Sequence, residues 1–179
     1  ELAAQVEGDI EAMDRLIADV LTLARGLGHE APRRIALPDF LAELVRTTPG
    51  AEDQVKLEAG DIALEVPAGA LQRILANLLE NALRYGGGEP VILRAEMAAQ
   101  KCRIGVLDRG PGIPLAEQEA VFRPFYRLEA SRSVSTGGSG LGLAIVRQLA
   151  AAQGWRVSLQ TPEDGGLAAW LEIPSPQAE

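Results

Sequence analysis

The chain has little of what several large classes of protein need. Its 179 residues contain a single cysteine, Cys102, so no disulfide can form within the chain, and a reducing compartment is compatible with this composition. No run of about 18 apolar residues occurs, and no charged and then apolar start indicates a signal peptide. Lys and Arg are not clustered and the net charge is -8, so we expect neither nucleic acid nor a membrane surface as a partner of this chain.

What the chain has is enough apolar material to build a core. A hydrophobic content of 47% with 23% charged residues suits one domain of ordinary size plus a short appendage. Cys102 lies in a predicted strand and is expected to be a small core residue. Because the sequence begins at Glu1 rather than Met, we expect it to be a processed or excised part of a longer protein.

The first 25 residues carry an apolar stripe. The spacing alternates between four and three residues, which predicts a helix that packs against other helices. Gly26 and Gly28 are expected to end this helix, and the chain through Pro32 is expected to be a linker. The stripe consists of Val6, Ile10, Met13, Ile17, Val20 and Ala24.

The remaining sequence predicts an α+β fold, a two-layer sandwich in which helices cover one face of a mixed sheet. Trp155 and Trp170 are expected to pack between the layers. Residues 113–138 form a long segment rich in Ser and Arg, which favours a lid. The predicted elements are a strand at 33–37, a helix at 38–49, a hairpin of strands 54–58 and 62–65, a helix at 68–85, antiparallel strands 90–98 and 101–107, a helix at 140–153, and strands 155–160 and 167–173.

The helix at 68–85 is apolar on one side and polar on the other. A step of about 100° per residue places Asn77, Asn81 and Arg84 opposite the leucines of the same helix. Two asparagines one turn apart can direct carbonyl oxygens at one point, and Mg²⁺ accepts neutral oxygen ligands when a nucleotide supplies the charge. A solvated polar face explains the same pattern, and both interpretations stay open.

A second polar motif follows the strand at 101–107. Asp108 stands at the sheet edge, followed by Gly110, Gly112 and Ile113, so its carboxylate can accept a hydrogen bond from an exocyclic amine while glycines let a flat base approach. Guanine would present a carbonyl there, so adenine is preferred. An ordinary Asp-x-Gly turn is the alternative.

Two further motifs belong to the predicted lid and its end. Phe122 and Phe125 form an aromatic pair expected to pin the lid base, and Arg127 and Arg132 are either phosphate contacts or solvated surface residues. The glycine-rich stretch at 137–142 opens a helix, where free N–H groups and the positive dipole end favour phosphate. It fits neither a Walker loop nor a Rossmann turn, and a simple hinge is its alternative. The two glycines Gly165 and Gly166, just before the last predicted strand, are interpreted as structural residues.

Together, these four motifs in this order resemble the catalytic and ATP-binding domain of sensor histidine kinases, in the wider GHKL family shared with gyrase, Hsp90 and MutL. The resemblance implies a Bergerat-type ATP site in which Asn81 ligates Mg²⁺, Asn77 assists near the phosphates, Tyr85 lies against adenine and Asp108 bonds its N6 amine. The catalytic residues it implies are Asn77, Asn81 and Arg84. The ATP-binding residues it implies are these three with Tyr85, Asp108, Gly110, Gly112, Ile113, Phe122, Arg127, Arg132, Gly138, Ser139, Gly140, Leu141, Gly142 and Leu143.

The resemblance also implies how the chain is organised. Residues 1–28 are expected to be the second helix of a dimerisation hairpin and the start of a linker, residues 29–174 the catalytic domain, and residues 175–179 a tail. The implied function is transfer of the γ-phosphoryl group of Mg-ATP to a histidine absent from this chain, within a homodimeric sensor that acts on a response regulator. The implied location is the cytoplasmic side of an inner-membrane sensor protein.

Two departures from the family pattern bear on the chemistry. Asn77 stands where gyrase-like ATPases have a water-activating Glu, which favours transfer over hydrolysis, and Arg84 stands where Lys is frequent. His29, the one histidine, follows the first helix in an apparent linker and is expected to be an exposed residue rather than the acceptor. A GHKL ATPase and a non-catalytic nucleotide-sensing module remain the alternatives. The apolar stripe of the first helix predicts concentration-dependent self-association.

Overall fold

A computed structural model of the chain describes residues 10, 13–14, 16–22, 30–128 and 139–174. Residues 16–22 are helical, as the apolar stripe predicts, whereas Gly26, Gly28, His29 and the tail at 175–179 lie outside the described residues. The elements that follow are β1 (Arg33–Ala36), α1 (Leu37–Thr47), β2 (Val55–Ala59), β3 (Ala63–Val66), α2 (Ala68–Tyr85), β4 (Val91–Ala98), β5 (Lys101–Asp108), two 3-10 turns (Leu115–Glu117 and Ala120–Phe122), α3 (Gly142–Ala152), β6 (Arg156–Gln160) and β7 (Leu167–Pro174).

The main sheet has five strands in the order β2-β4-β5-β7-β6. The pairing of β2 with β4 is parallel and the other three pairings are antiparallel, which confirms the predicted mixed sheet. The tight connection between β4 and β5 uses Ala99 in a left-handed conformation (φ 53°). Helix α2 has the bounds that the sequence predicts, and α3 is shorter by a residue or two at each end.

The predicted hairpin of β2 and β3 is wrong. β2 pairs with β4 in the main sheet, whereas β3 pairs antiparallel with β1 in a separate two-stranded sheet. In that small sheet Ile35 lies opposite Leu64, both are buried, and the Leu37 N–H donates to the Ile62 carbonyl at 2.8 Å. Alternation and a short spacer describe two strands well, but they do not decide which neighbour buries each apolar face.

The hydrophobic core lies between the helices and one face of the main sheet. Alternate residues of each strand enter it, together with the buried side of α2. Trp155 belongs to this core, as predicted. The largest fully buried side chains of α2 are Leu71, Ile74, Leu75 and Leu79.

The prediction that Trp170 packs between the layers is wrong. Its neighbours in β7, Ala169 and Leu171, enter the core, so Trp170 lies on the other face of the sheet, where it is still only 7% exposed. It is buried because the Arg103 guanidinium covers the ring, 4.2 Å from its centroid, and because Gly105 leaves room for it. A Cβ at Gly105 would lie 2.6 Å from the ring. The pairing of an Arg with a Trp on an open sheet face explains how an aromatic residue leaves the core.

The apolar side chains of the N-terminal helical segment are exposed. The exposed fraction is 62% for Met13 and 54% for Ile17. This pattern agrees with the stripe read from the sequence, while the predicted self-association stays a prediction. Within the described residues, no helix is long and apolar enough to cross a membrane.

Candidate nucleotide-binding site

A large cleft opens beside α2, at the end of β5 and the start of α3. Its volume of about 1110 Å³ is that of a site for a ligand larger than most drugs. The wall on one side is α2, and the loop from Asp108 to Leu128 forms much of the other. Twelve of the residues implied by the resemblance line it: Asn77, Asn81, Arg84, Tyr85, Asp108, Gly112, Ile113, Arg127, Ser139, Gly140, Gly142 and Leu143.

The side chain of Asn77 is held in a defined orientation. Its Nδ2 donates to the carbonyl of Arg73, one turn earlier, at 2.9 Å. The Oδ1 atom therefore faces α3, where a Cβ added to Gly142 would lie 3.0 Å from it. A Cβ at Gly142 would also lie 3.9 Å from Nδ2 of Asn81, so the start of α3 packs closely against both amides. The two half-buried asparagines thus present neighbouring amide groups to the cleft, and the amide of Asn77 is held by its hydrogen bond.

Asp108 is half-buried at the end of β5. Its Oδ1 accepts the Gly110 N–H at 2.8 Å. Burial raises the pKa of the Asp108 carboxyl above its ordinary value, and the backbone N–H groups of Gly110 and Leu167 oppose that change by stabilising the charged form. Because these N–H groups fix the carboxylate, it is a preorganised acceptor at the edge of the cleft.

The backbone around Asp108 is packed through glycines. A side chain at Gly110 would overlap the Tyr85 carbonyl, and one at Gly166 would overlap the Asp108 carbonyl. Gly166 has φ 87°, and a Cβ at Gly112 (φ 70°) would lie 2.7 Å from its carbonyl oxygen. The end of α2, the loop after β5 and the start of β7 can meet only because these positions lack side chains. Gly166 is therefore a structural residue, as the sequence suggests, because the absence of its side chain leaves room for the backbone of Asp108.

The base of the predicted lid is held differently from what the sequence suggests. Phe122 is buried, but Phe125 is 65% exposed, so the expected aromatic pair does not form. Phe125 has φ 64°, and its N–H donates to the Gly140 carbonyl at 2.9 Å. This backbone bond joins Phe125 to the glycine-rich stretch before α3, and the Tyr126 hydroxyl donates to Glu117. Phe125 is therefore held in place by a backbone hydrogen bond, whereas Phe122 is held by apolar packing.

The ring of Phe122 lies away from the cleft. It lines a second, smaller hollow of about 400 Å³ with Glu119 and Arg147, and the Arg147 guanidinium lies 5.4 Å from the ring centroid. The cleft instead receives its neighbour Val121. Among the residues implied by the resemblance, Phe122, Gly110 and Leu141 do not line the cleft.

The start of α3 closes the far end of the cleft. Leu141 is fully buried, and its N–H donates to Oγ of Ser139 at 3.3 Å. Gly142 and Leu143 follow as the first residues of the helix and line the cleft. No side chain among the described residues caps α3 at its N-terminus. Gly138 and Arg132 lie outside the described residues.

The cleft has an apolar floor that the sequence motifs do not predict. Val106, Leu159, Leu167 and Ala169 come from β5, β6 and β7 and face the space above the sheet. Alternation marks most of these residues as core, and no sequence signal separates a residue that touches another side chain from one that touches a ligand. Leu16 and Asp19, in the helical segment at residues 16–22, also line the cleft, and no motif in the sequence predicts this.

A half-enclosed cleft at the edge of a mixed sheet, with an apolar floor and polar side chains on one long helix, defines a two-layer α+β ligand-binding domain. The family model of histidine kinase-, DNA gyrase B-, and HSP90-like ATPases matches residues 67–177. The chain belongs to this family.

Individual relatives agree with this assignment. The sensor protein RstB of Escherichia coli is 36% identical over 179 residues, covering 93% of this chain and 41% of that protein. The sensor protein KdpD of Mycobacterium tuberculosis is 34% identical over 188 residues, covering 99% of this chain and 22% of that protein. The crystal structure of full-length ShkA in complex with AMPPNP has a TM-score of 0.77 at 26% identity, over 96% of this chain and 37% of that one. The chain thus spans between about a fifth and two fifths of these proteins.

Proposed function

We propose that this chain is the ATP-binding kinase part of a two-component sensor histidine kinase. The observation that carries the proposal is the cleft itself, which places two amides of α2 and the carboxylate of Asp108 around one space. The family supports an ATPase-like domain, and the likeness to ShkA, whose structure contains AMPPNP, supports an adenine nucleotide as the ligand.

Adenine is proposed to bind at the Asp108 end of the cleft. The fixed carboxylate accepts a hydrogen bond from the N6 amine, and the ring lies on the apolar floor that includes Val106 and Ala169. Tyr85 and Ile113 line the same cleft and contribute apolar contact. Two hydrogen bonds position the loop that carries Ile113. The carbonyl of Ile113 accepts from Gln118 Nε2 at 3.2 Å and from the Thr161 hydroxyl at 3.3 Å.

The triphosphate is proposed to lie between α2 and the start of α3. Mg²⁺ fits the donor set there, because neutral amide oxygens such as that of Asn81 suit a hard cation whose charge the phosphates balance. Arg84 and Arg127 line the cleft as candidate phosphate contacts, with the glycine-rich stretch through Gly140 and Gly142. Bound Mg²⁺ would neutralise phosphate charge, while the amides and backbone of this chain hold the nucleotide in place.

The proposed reaction is transfer of the γ-phosphoryl group to a histidine of the longer sensor protein. The bond between the γ-phosphorus and the bridging oxygen breaks, a bond to an imidazole nitrogen forms, and ADP leaves. Asn77 supplies no carboxylate to activate water, and its amide is already engaged by Arg73. A homodimeric sensor, a response regulator as the next acceptor and a cytoplasmic position of this domain complete the proposal.

Calorimetry with Mg²⁺ and AMPPNP tests the site. Asn81→Ala should weaken binding by about 10-fold or more, because the nucleotide loses a metal-oriented contact. Gln72→Ala is the matched control, since Gln72 is an exposed amide on the same helix outside the cleft, and it should leave the affinity unchanged. Equal affinities of wild type and Asn81→Ala in the presence of Mg²⁺ would contradict the assignment.

A transfer assay separates the kinase from its alternatives. The chain is mixed with labelled ATP and a separate dimerisation hairpin that carries an acceptor histidine, and label on the hairpin is the expected result. Steady release of inorganic phosphate without label on the hairpin would favour an ATPase. Nucleotide binding with neither outcome would favour a sensing module.

A further inference from the structure

The connection between β6 and β7, residues 161–166, contacts both sides of the Asp108 end of the cleft. At its start, the Thr161 hydroxyl donates to the Ile113 carbonyl at 3.3 Å. At its end, a side chain at Gly166 would overlap the Asp108 carbonyl, so the two backbones are in contact. One short piece of chain therefore sets where Ile113 lies relative to Asp108.

Three polar groups form a closed junction at the start of this connection. The amide nitrogen of Gln118 donates to the Ile113 carbonyl at 3.2 Å and to the Thr161 hydroxyl oxygen at 3.4 Å. The Thr161 hydroxyl donates in turn to the same carbonyl, which accepts both bonds through its two lone pairs. The junction thus ties the loop that follows β5 to the loop that follows β6.

The two donor side chains of the junction act on the cleft through Ile113. Ile113 lines the cleft, whereas Gln118 and Thr161 do not. The described loop at 109–114 belongs to no helix or strand, so no ladder of backbone hydrogen bonds fixes the course of the chain there. Its backbone groups need other partners, and the junction supplies them for the Ile113 carbonyl. Gln118 and Thr161 are therefore in a place to position the Ile113 side of the cleft without touching a ligand.

The position of Ile113 bears on which base the cleft accepts. A carboxylate accepts the N6 amine of adenine, but it also accepts the N1–H and the N2 amine of guanine when that ring slides along its edge. The Asp108 carboxylate alone is therefore not enough to reject guanine. A ring held between a fixed Asp108 and a fixed Ile113 cannot slide, so guanine presents its O6 carbonyl to the carboxylate, and the repulsion between two acceptors disfavours that base.

We propose that Gln118 and Thr161 are positioning residues that set the preference of the cleft for adenine over guanine, because they hold Ile113 in a fixed position relative to Asp108. The inference rests on the proposed function of the cleft. Loss of either donor lets the Ile113 loop move and the base slide, so it weakens the binding of an adenine nucleotide more than that of a guanine nucleotide.

Calorimetry with AMPPNP and with its guanine counterpart GMPPNP, each in the presence of Mg²⁺, tests the proposal. Thr161→Val removes the hydroxyl and keeps the shape of the side chain, and Gln118→Leu removes the amide. A net hydrogen bond changes an equilibrium by a factor of roughly 2 to 12, and water replaces part of the bond at an exposed residue such as Thr161. In each variant the ratio of the AMPPNP affinity to the GMPPNP affinity should therefore fall about threefold or more.

Two control variants separate the loss of the bond from the substitution itself. Thr161→Ser keeps the hydroxyl, so it should keep the wild-type ratio of affinities. Thr47→Val removes an exposed hydroxyl that donates to the Glu43 carbonyl at 2.9 Å on α1, away from the cleft, and it should also keep that ratio. Urea denaturation of all the variants ensures that a loss of folded protein is not taken for a loss of selectivity.

Each outcome decides the inference. A ratio that stays at the wild-type value in Thr161→Val and Gln118→Leu would overturn it, even if both affinities weaken equally, because a general loosening of the domain does not choose between bases. A ratio in Thr161→Ser as low as that in Thr161→Val would overturn it as well. If the wild-type chain binds AMPPNP and GMPPNP equally well, the inference fails although the cleft binds nucleotide. If it binds neither, the proposed function itself fails.

Discussion

Two adjacent glycines provide a controlled test of how the adenine end of the cleft is built. Gly165 and Gly166 have nearly the same backbone conformation, with φ 86° and 87°. A side chain at Gly165 would meet open space, whereas one at Gly166 would overlap the Asp108 carbonyl and lie 2.9 Å from its carbon and 3.0 Å from Cα of Arg109. Alanine at either position therefore carries the same backbone strain, and only one position adds a collision.

The magnitudes follow from this difference. A left-handed conformation costs an L-residue about 1–2 kcal/mol, so Gly165→Ala should lower the free energy of unfolding by about that amount. In Gly166→Ala the chain that carries Asp108 must also move, which adds about 1–3 kcal/mol, as overpacking does. A displaced Asp108 carboxylate leaves a hydrogen bond to the base unmade, which costs about 1–3 kcal/mol of binding free energy. Nucleotide affinity should therefore fall about tenfold or more in Gly166→Ala and stay near wild type in Gly165→Ala.

Urea denaturation and calorimetry with AMPPNP measure the two effects in the same preparations. The total stability of a domain is about 5–15 kcal/mol, so both variants should still fold. If the two variants have the same stability and the same affinity, the glycine contact with Asp108 does not position the carboxylate, and the account of this end of the cleft is wrong.

Three further predictions concern other groups of the cleft and core. Burial raises the pKa of the Asp108 carboxyl, so this group loses its charge at a higher pH than an ordinary aspartate. Nucleotide affinity, measured by calorimetry, should therefore fall as the pH drops through that raised pKa. Asp108→Asn should bind nucleotide weakly at every pH and should not show this fall. Gly142→Ala should change stability by less than about 1 kcal/mol because alanine favours helix, yet weaken nucleotide binding by crowding Asn77, and the loss should disappear in an Asn77→Ala background. Burial raises the pKa of Cys102 to about 11, so its alkylation at pH 8 should be about a hundredfold slower in the folded chain than in urea; equal rates would contradict its burial.

The parts of the fold that the sequence predicts best are those fixed by local pattern. Helix α2 has the predicted bounds because its apolar side, its polar side and the glycines after Tyr85 all agree. The sequence predicts the wrong partner for β2, because strand pairing depends on which surfaces are buried together. The true partner of β2, residues 91–95 of β4, lies more than 30 residues further along the chain, where local pattern carries no information on pairing. The sequence also assigns Trp170 to the wrong face of the sheet, because the Arg103 guanidinium that covers its ring comes from a neighbouring strand.

The candidate site shows the same division. The motifs select Asn77, Asn81 and Asp108 because their residue types suit an adenine nucleotide and its metal, and all three line the cleft. Motifs do not identify the apolar floor, whose residues are indistinguishable from core. They also assign Phe125 to a packing role, although its backbone N–H, which no side-chain pattern reports, is what holds it to Gly140.

The charge of the chain limits how the proposed nucleotide site can gain affinity. A chain of net charge -8 repels a polyanion at long range, so affinity has to come from groups at contact distance. Half-buried amides bring polarity without the desolvation cost of buried cations, and close backbone packing aims N–H groups and one carboxylate at fixed points.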